Sequence, residues 1–243
     1  MTILAEIITT NNYTLNDNDN KIINEITDLF ETKIIKKELL NNLNYVNWVG
    51  YFHQYLTKDY SEMKKYYLMA IEEGNSDAMN NMGNYYQTIT KDYDEMKKYY
   101  LMAIKRGDSD AMCNMGYYHH HITKDYDEMK KYYLMSIEKG NSDAMNCMAD
   151  YYHIIKKDYD QMIRYYLIAI DEGNSDAMYL MGYYHQYITQ NYNQMKKYYL
   201  MAIEKGNLNA INSMEIFHSE SMIHRNKPFF LIDGIAQLFG RKI

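Results

Sequence analysis

The sequence predicts an all-α protein built as an α-solenoid of helix–turn–helix repeats with helical caps. Three observations carry this reading. A 33-residue unit recurs five times without slippage. Every copy holds a helix-capping pair and a closing glycine at fixed places. One Pro and 11 Gly in 243 residues leave little punctuation for a turn-rich β fold.

Residues 92–104 recur almost unchanged at 125–137, with variants at 59–71, 158–170 and 191–203. The units run 42–74, 75–107, 108–140, 141–173 and 174–206. A period of this size without a strand signal indicates helix pairs that bury their apolar faces by stacking on neighbours. In 75–107, Ser76-Asp77 opens the first helix, where hydroxyl and acidic side chains meet unpaired amides and the positive dipole end. Ala78, Met79, Met82 and Tyr85/Tyr86 follow at three- to four-residue spacing, which is one helical face. Ile89-Thr90-Lys91 reads as a short link. Asp92 with Glu95 is a capping box for the second helix. It returns as Asp59/Glu62, Asp125/Glu128, Asp158/Gln161 and Asn191/Gln194. Met96, Tyr99/Tyr100, Ala103 and Ile104 continue the buried stripe, and Gly107 ends it, as do Gly74, Gly140, Gly173 and Gly206.

A second glycine lies inside the first helix, at Gly50, Gly83, Gly116 and Gly182, with Ala149 in the fourth unit. Glycine there costs about 1 kcal/mol against alanine. Its recurrence predicts a close approach by the paired helix of the same unit.

The ends depart from the repeat. Residues 1–41 read as an N-terminal polar loop (10–20) and a capping helix (20–41). Ile22, Ile23, Ile26, Leu29, Phe30, Ile34, Ile35 and Leu39 fall on one face of that helix, and Lys33, Lys36, Lys37 and Glu38 mark the other. Residues 207–243 read as a partial repeat, with Glu215 where the inner glycine would stand, and a C-terminal capping helix from Pro228. That Phe-rich tail either caps the array or docks a partner.

The unit resembles the Sel-1-like repeat family, relatives of the tetratricopeptide repeats. The residues carrying the resemblance are Ala78, Met82-Gly83, Tyr86, Asp92-Tyr93, Met96, Tyr99-Tyr100, Ala103-Ile104 and Gly107. The match covers 42–206. It departs in the link, which is shorter than the family's Gly-rich loop, and in Met96 and Ile104 for smaller residues. The Tyr/Asn/Lys-rich texture is similar to that of members from giant viruses of amoebae. The resemblance implies a right-handed α-solenoid that serves as a scaffold for other proteins, with the first helices lining a concave face.

Composition narrows the function classes. Apolar content of 47% suffices for a core, and two cysteines cannot form a disulfide framework. A net charge of -6 argues against general nucleic-acid binding. Mean hydropathy of -0.58 and the absence of a long apolar run argue against a membrane span. No signal peptide is legible, so a cytoplasmic protein is expected, in the host cytoplasm if viral.

Partner-binding residues are sought on the first helices: Trp48, Tyr51, Asn80, Asn84, Tyr117, His120, Asp150, His153 and Tyr183. Amides, aromatic rings and imidazoles suit hydrogen bonding and stacking against an extended peptide. Consecutive His119-His120-His121 point about 100° apart on a helix and cannot converge on one ion. His120 with His153, joined by Asp150 or Cys147, is the one metal-like pair, and a polar groove edge is the favoured reading. Lysine pairs such as Lys97-Lys98 follow acidic residues, so a self-neutralised face is expected, with contacts such as Asp94/Lys98. No catalytic constellation departs from the periodicity, so neither enzyme activity nor a cofactor is expected. The function expected is a protein-interaction scaffold with an unidentified protein or peptide partner. The alternative is an assembly protein that self-associates through its solenoid ends. The oligomeric state is left open.

Overall fold

A computed structural model describes the backbone of residues 17–223 and the side chains of 24–219. Among these residues there are twelve α-helices and no strand. The chain divides into two compact units, residues 1–141 and 142–243.

The first unit holds α1 (Asp17–Thr32) and three helix pairs: α2 (Leu43–Phe52) with α3 (Tyr60–Glu72), α4 (Ser76–Tyr85) with α5 (Tyr93–Lys105), and α6 (Ser109–Tyr118) with α7 (Tyr126–Ile137). The second unit holds α8 (Ser142–Tyr151) with α9 (Tyr159–Asp171), α10 (Ser175–Tyr187) with α11 (Tyr192–Glu204), and α12 (Leu208–Ile223). Within each unit a second helix packs on its own first helix and on the first helix that follows. This is the stacking that lets a 33-residue unit with no core of its own bury an apolar face.

The helix starts are set by side chains. Asp59, Asp92 and Asp125 accept backbone N–H bonds from Glu62, Glu95 and Glu128, each at 3.1 Å. The first helices are capped one residue earlier than Ser76-Asp77 suggested: Asn75 and Asp108 accept from the N–H of Ala78 and Ala111, both at 2.8 Å. At the other end Gly74 adopts φ 86°, and the Asn75 N–H bonds the Ala70 carbonyl at 3.0 Å. That left-handed closure recurs at Gly107, Gly140, Gly173 and Gly206.

The inner glycines do mark a close approach. A Cβ on Gly50, Gly83, Gly116 or Gly182 would lie 2.4–2.5 Å from Cδ1 of Tyr67, Tyr100, Tyr133 or Tyr199, on the second helix of the same repeat. Those four tyrosines are fully buried, alongside Met63, Met96, Met129 and Met195.

Three expectations are corrected. The link at 89–91 is no loop: the first helix widens into a π turn at Tyr86–Thr90, as at His53–Thr57, His119–Thr123 and Tyr152–Lys156. Lys91, at φ 59°, then reverses the chain, as do Lys58, Lys124 and Lys157. The Thr90 hydroxyl bonds the Tyr86 carbonyl at 3.2 Å and accepts the Asp92 N–H at 3.2 Å, so one side chain ties the turn to the next cap. The N-terminal helix spans 17–32, not 20–41. Lys33 turns left-handed (φ 61°), its N–H closing on the Leu29 carbonyl, and Ile34 is 64% exposed. Lys36 then bonds Glu25 and Asp28 and donates its N–H to the Tyr45 hydroxyl, which clasps the following segment to α1. Finally, the lysines pair at i,i+3, Lys97 with Asp94 and Lys98 with Glu95, rather than Lys98 with Asp94. The Pro228 segment lies outside the described residues.

Candidate functional site

The first-helix residues separate into those spent on packing and those left over. Asn80 is buried and accepts from the Asn114 amide at 2.9 Å; Asn47 accepts from Asn81 at 3.1 Å. These bonds run from one repeat to the next. Asn84 lies 2.6 Å from the Tyr100 hydroxyl, and Gln87 lies 2.8 Å from it. Asp150 accepts the Tyr166 hydroxyl. Gln54 and Gln186 serve Tyr67 and Tyr199 in the same way, at 2.8 and 2.7 Å. Burying a phenol without such a partner costs on the order of 1–3 kcal/mol, so these polar residues answer a packing need. Burial holds the hydroxyls of Tyr67, Tyr100 and Tyr166 well above the usual phenol range.

His120 is buried too, its ring edge-on to Tyr126 and Tyr133. Burial first, then the charges of His121 and Lys124, push it down to about 4. His153 sits beside Tyr159 at 5.7 Å in the second unit, whereas His120 belongs to the first. Among the described residues no group of three His, Cys, Asp or Glu is placed to hold a metal ion. No described helix is long and apolar enough to cross a membrane.

What remains outward is aromatic. Tyr51 lies against Tyr55 at 4.3 Å, Tyr117 against His121 at 4.1 Å, and Tyr183 against Tyr187 at 4.4 Å, the rings tilted by 34–44°. Tyr55, Tyr117, Tyr183 and Tyr187 are all more than two-fifths exposed. Trp48 bridges inward, between Tyr51 and Phe30 of α1. Burial, then Tyr55, pushes the Tyr51 hydroxyl up to about 12. The i,i+4 partners Tyr55 and His121 lie in the π turns and Tyr187 ends α10; none of the three was among the partner-binding residues sought. The signal for them was aromatic recurrence every 66 residues.

Alternation extends inward. In the first, third and fifth repeats His53, His119 and His185 stack on Tyr66, Tyr132 and Tyr198, each at 5.6 Å. Each Nδ1 meets a threonine hydroxyl, at 3.0, 3.1 and 2.9 Å. The same hydroxyl lies 3.3–3.4 Å from the histidine's own carbonyl, which ties the ring to the turn. In the second and fourth repeats Tyr86 and Tyr152 take the same place, stacked on Tyr99 and Tyr165. Burial lowers all three histidines. A lowered native value means that the unfolded chain takes up protons first. Their contribution is therefore full above about 6.5 and falls as the pH drops below it. Melting temperature is expected to fall by a few degrees between pH 7 and 5. The triple variant His53→Tyr/His119→Tyr/His185→Tyr should lose that part of the fall; an identical fall in both proteins would contradict the assignment.

Helix pairs of 33 residues, packed on one another within each unit and carrying exposed aromatic pairs in alternate repeats, define a helical-repeat protein. In fold the repeats are similar to Sel1 repeats. A Sel1 repeat protein from Oxalobacter formigenes is similar over 78% of this chain and 87% of its own, with TM-score 0.60 and 26% identity. A protective antigen of uropathogenic Escherichia coli displaying an SLR fold is similar over 74% of this chain and 42% of its own (TM-score 0.54, 20% identity). An immunity protein of Pseudomonas aeruginosa is similar over 61% and 59% (TM-score 0.50, 21% identity). No family model and no curated protein sequence matches the chain.

Proposed function

We propose that this protein is a non-catalytic interaction scaffold that holds a peptide or protein segment on its first-helix face. The single observation that supports this is the exposed aromatic pairing in alternate repeats: Tyr51/Tyr55, Tyr117/His121 and Tyr183/Tyr187. The same register holds Asn84/Thr88 and Asp150/Ile154 in between, so packing does not require aromatics there. Large, stiff rings beside polar groups are the usual anchors of protein recognition. Within the first unit, a partner gripped there meets one aromatic pair every second repeat.

The test compares capture from cells by the wild type and by Tyr51→Ala/Tyr117→Ala/Tyr183→Ala, with helical content checked by circular dichroism. Binding is expected to weaken about tenfold or more, which is about 1.4 kcal/mol. Leu68→Ser/Leu101→Ser/Leu134→Ser, on the exposed second-helix row, serves as the control and should bind as wild type. Full retention by the tyrosine variant, with loss in the leucine variant, would move the binding face to the second helices.

A further inference from the structure

At three junctions the repeats are stitched by the asparagine that immediately precedes a first helix. Asn141 donates its side-chain amide to Asp110 of the preceding repeat at 2.7 Å. Asn174 does the same to Asp143 at 3.0 Å, and Asn207 to Asp176 at 2.8 Å. Meanwhile the amide oxygens of Asn174 and Asn207 cap their own helices, on the N–H of Ala177 and Ala210. One side chain thus starts a helix and ties it backward, and the second task needs a donor.

The third repeat has Asp108 at this position. Its Oδ1 still caps, on the Ala111 N–H at 2.8 Å, and Ser76 of the second repeat hydrogen-bonds to its carboxyl group. Asp77 is the counterpart of Asp110, Asp143 and Asp176. An ionised Asp108 has nothing to donate to it and faces it as a second negative charge. We propose that the junction of the second and third repeats is a proton-closed joint: protonated Asp108 donates to Asp77 as asparagine does at the three junctions that follow, and the joint loosens when that proton leaves.

The charged groups bearing on Asp108 are Asp110, on its own helix, and Asp77, on α4. Arg106, in the preceding turn, lays its guanidinium over Gly74. Burial, opposed by the Ala111 N–H bond and reinforced by the two carboxylates, lifts Asp108 to about 6. A raised native value means that the folded chain holds its proton longer than the unfolded one. The contribution is therefore full below about 3.8 and is lost as pH rises through about 6. This is opposite in sign to the histidine effect, and a single substitution separates the two.

Thermal melts of the full chain at pH 5, 6 and 7.5 test it. Asp108→Asn is expected to melt about 2–4 °C above wild type at pH 7.5, with the advantage shrinking toward pH 5. Asn caps equally well, so the cap is not what changes. No gain at pH 7.5, or a gain equal at all three values, overturns the proposal. The reciprocal variant Asn174→Asp builds the same carboxylate pair against Asp143. It should melt lower than wild type at pH 7.5 and close to wild type at pH 5. An equal loss at both would overturn the proposal independently of whether Asp108→Asn folds well.

Discussion

Replacing Gly116 by leucine (Gly116→Leu) is expected to destabilise the first unit by about 3 kcal/mol, with alanine costing less. Two effects compete. Removing a helical glycine gains about 1 kcal/mol of propensity. Against this, a Cβ at 116 would lie 2.4 Å from Cδ1 and 2.6 Å from Cε1 of Tyr133. That ring is fully buried on α7 and has no free end to swing away. The clash therefore wins. At about 2–4 °C per kcal/mol for a chain of this size, melting followed by circular dichroism resolves it. A melting temperature equal to or above wild type would refute the packing. The fourth repeat gives the contrast: Ala149 stands at this register with Tyr166 buried beside α8, so a methyl group is tolerated where the neighbourhood was built around one.

Tyr100→Ala is expected to cost about 3–5 kcal/mol, the usual range for emptying the place of a buried aromatic ring. The ring fills the space left by Gly83, and its hydroxyl sits between Asn84 and Gln87. Tyr100→Phe keeps the ring and strands those amides, for about 1–2 kcal/mol. Urea unfolding should rank the three proteins wild type, Tyr100→Phe, Tyr100→Ala. If Tyr100→Phe is as damaging as Tyr100→Ala, hydrogen bonding rather than volume governs the position. If both are neutral, the buried tyrosine is no anchor of the repeat.

The candidate face was only half legible in sequence. Tyr51, Tyr117 and Tyr183 were found because a first-helix register can be read along the chain. Asn80, Asn84 and Asp150 lie at neighbouring registers and look equally available. What distinguishes them is the group on the other side: Asn114 for Asn80, Tyr100 for Asn84, Tyr166 for Asp150. Those partners lie 34, 16 and 16 residues away. Periodicity does not say whether an amide at such a distance is spent on a buried hydroxyl or left to solvent. The π turn was missed for a related reason. Ile89-Thr90-Lys91 has loop-like polarity, and its helical continuation depends on the Thr90 hydroxyl closing on Tyr86 and Asp92.

By itself the sequence determined what depends on neighbours within a few positions: the 33-residue period, the capping pairs, the closing glycines, and the stripe of Met, Tyr and Ala. These are local because a cap, a left-handed turn and a helical face are each decided within one or two turns of chain. Tertiary structure alone decided which polar residue serves which buried phenol. It also decided that Asp108 stands where three asparagines tie one repeat to the next. Both are settled by contacts between different helices, from 13 residues apart at Gln54 and Tyr67 to a whole repeat apart at the junctions, whose energies depend on burial and on the partner's charge.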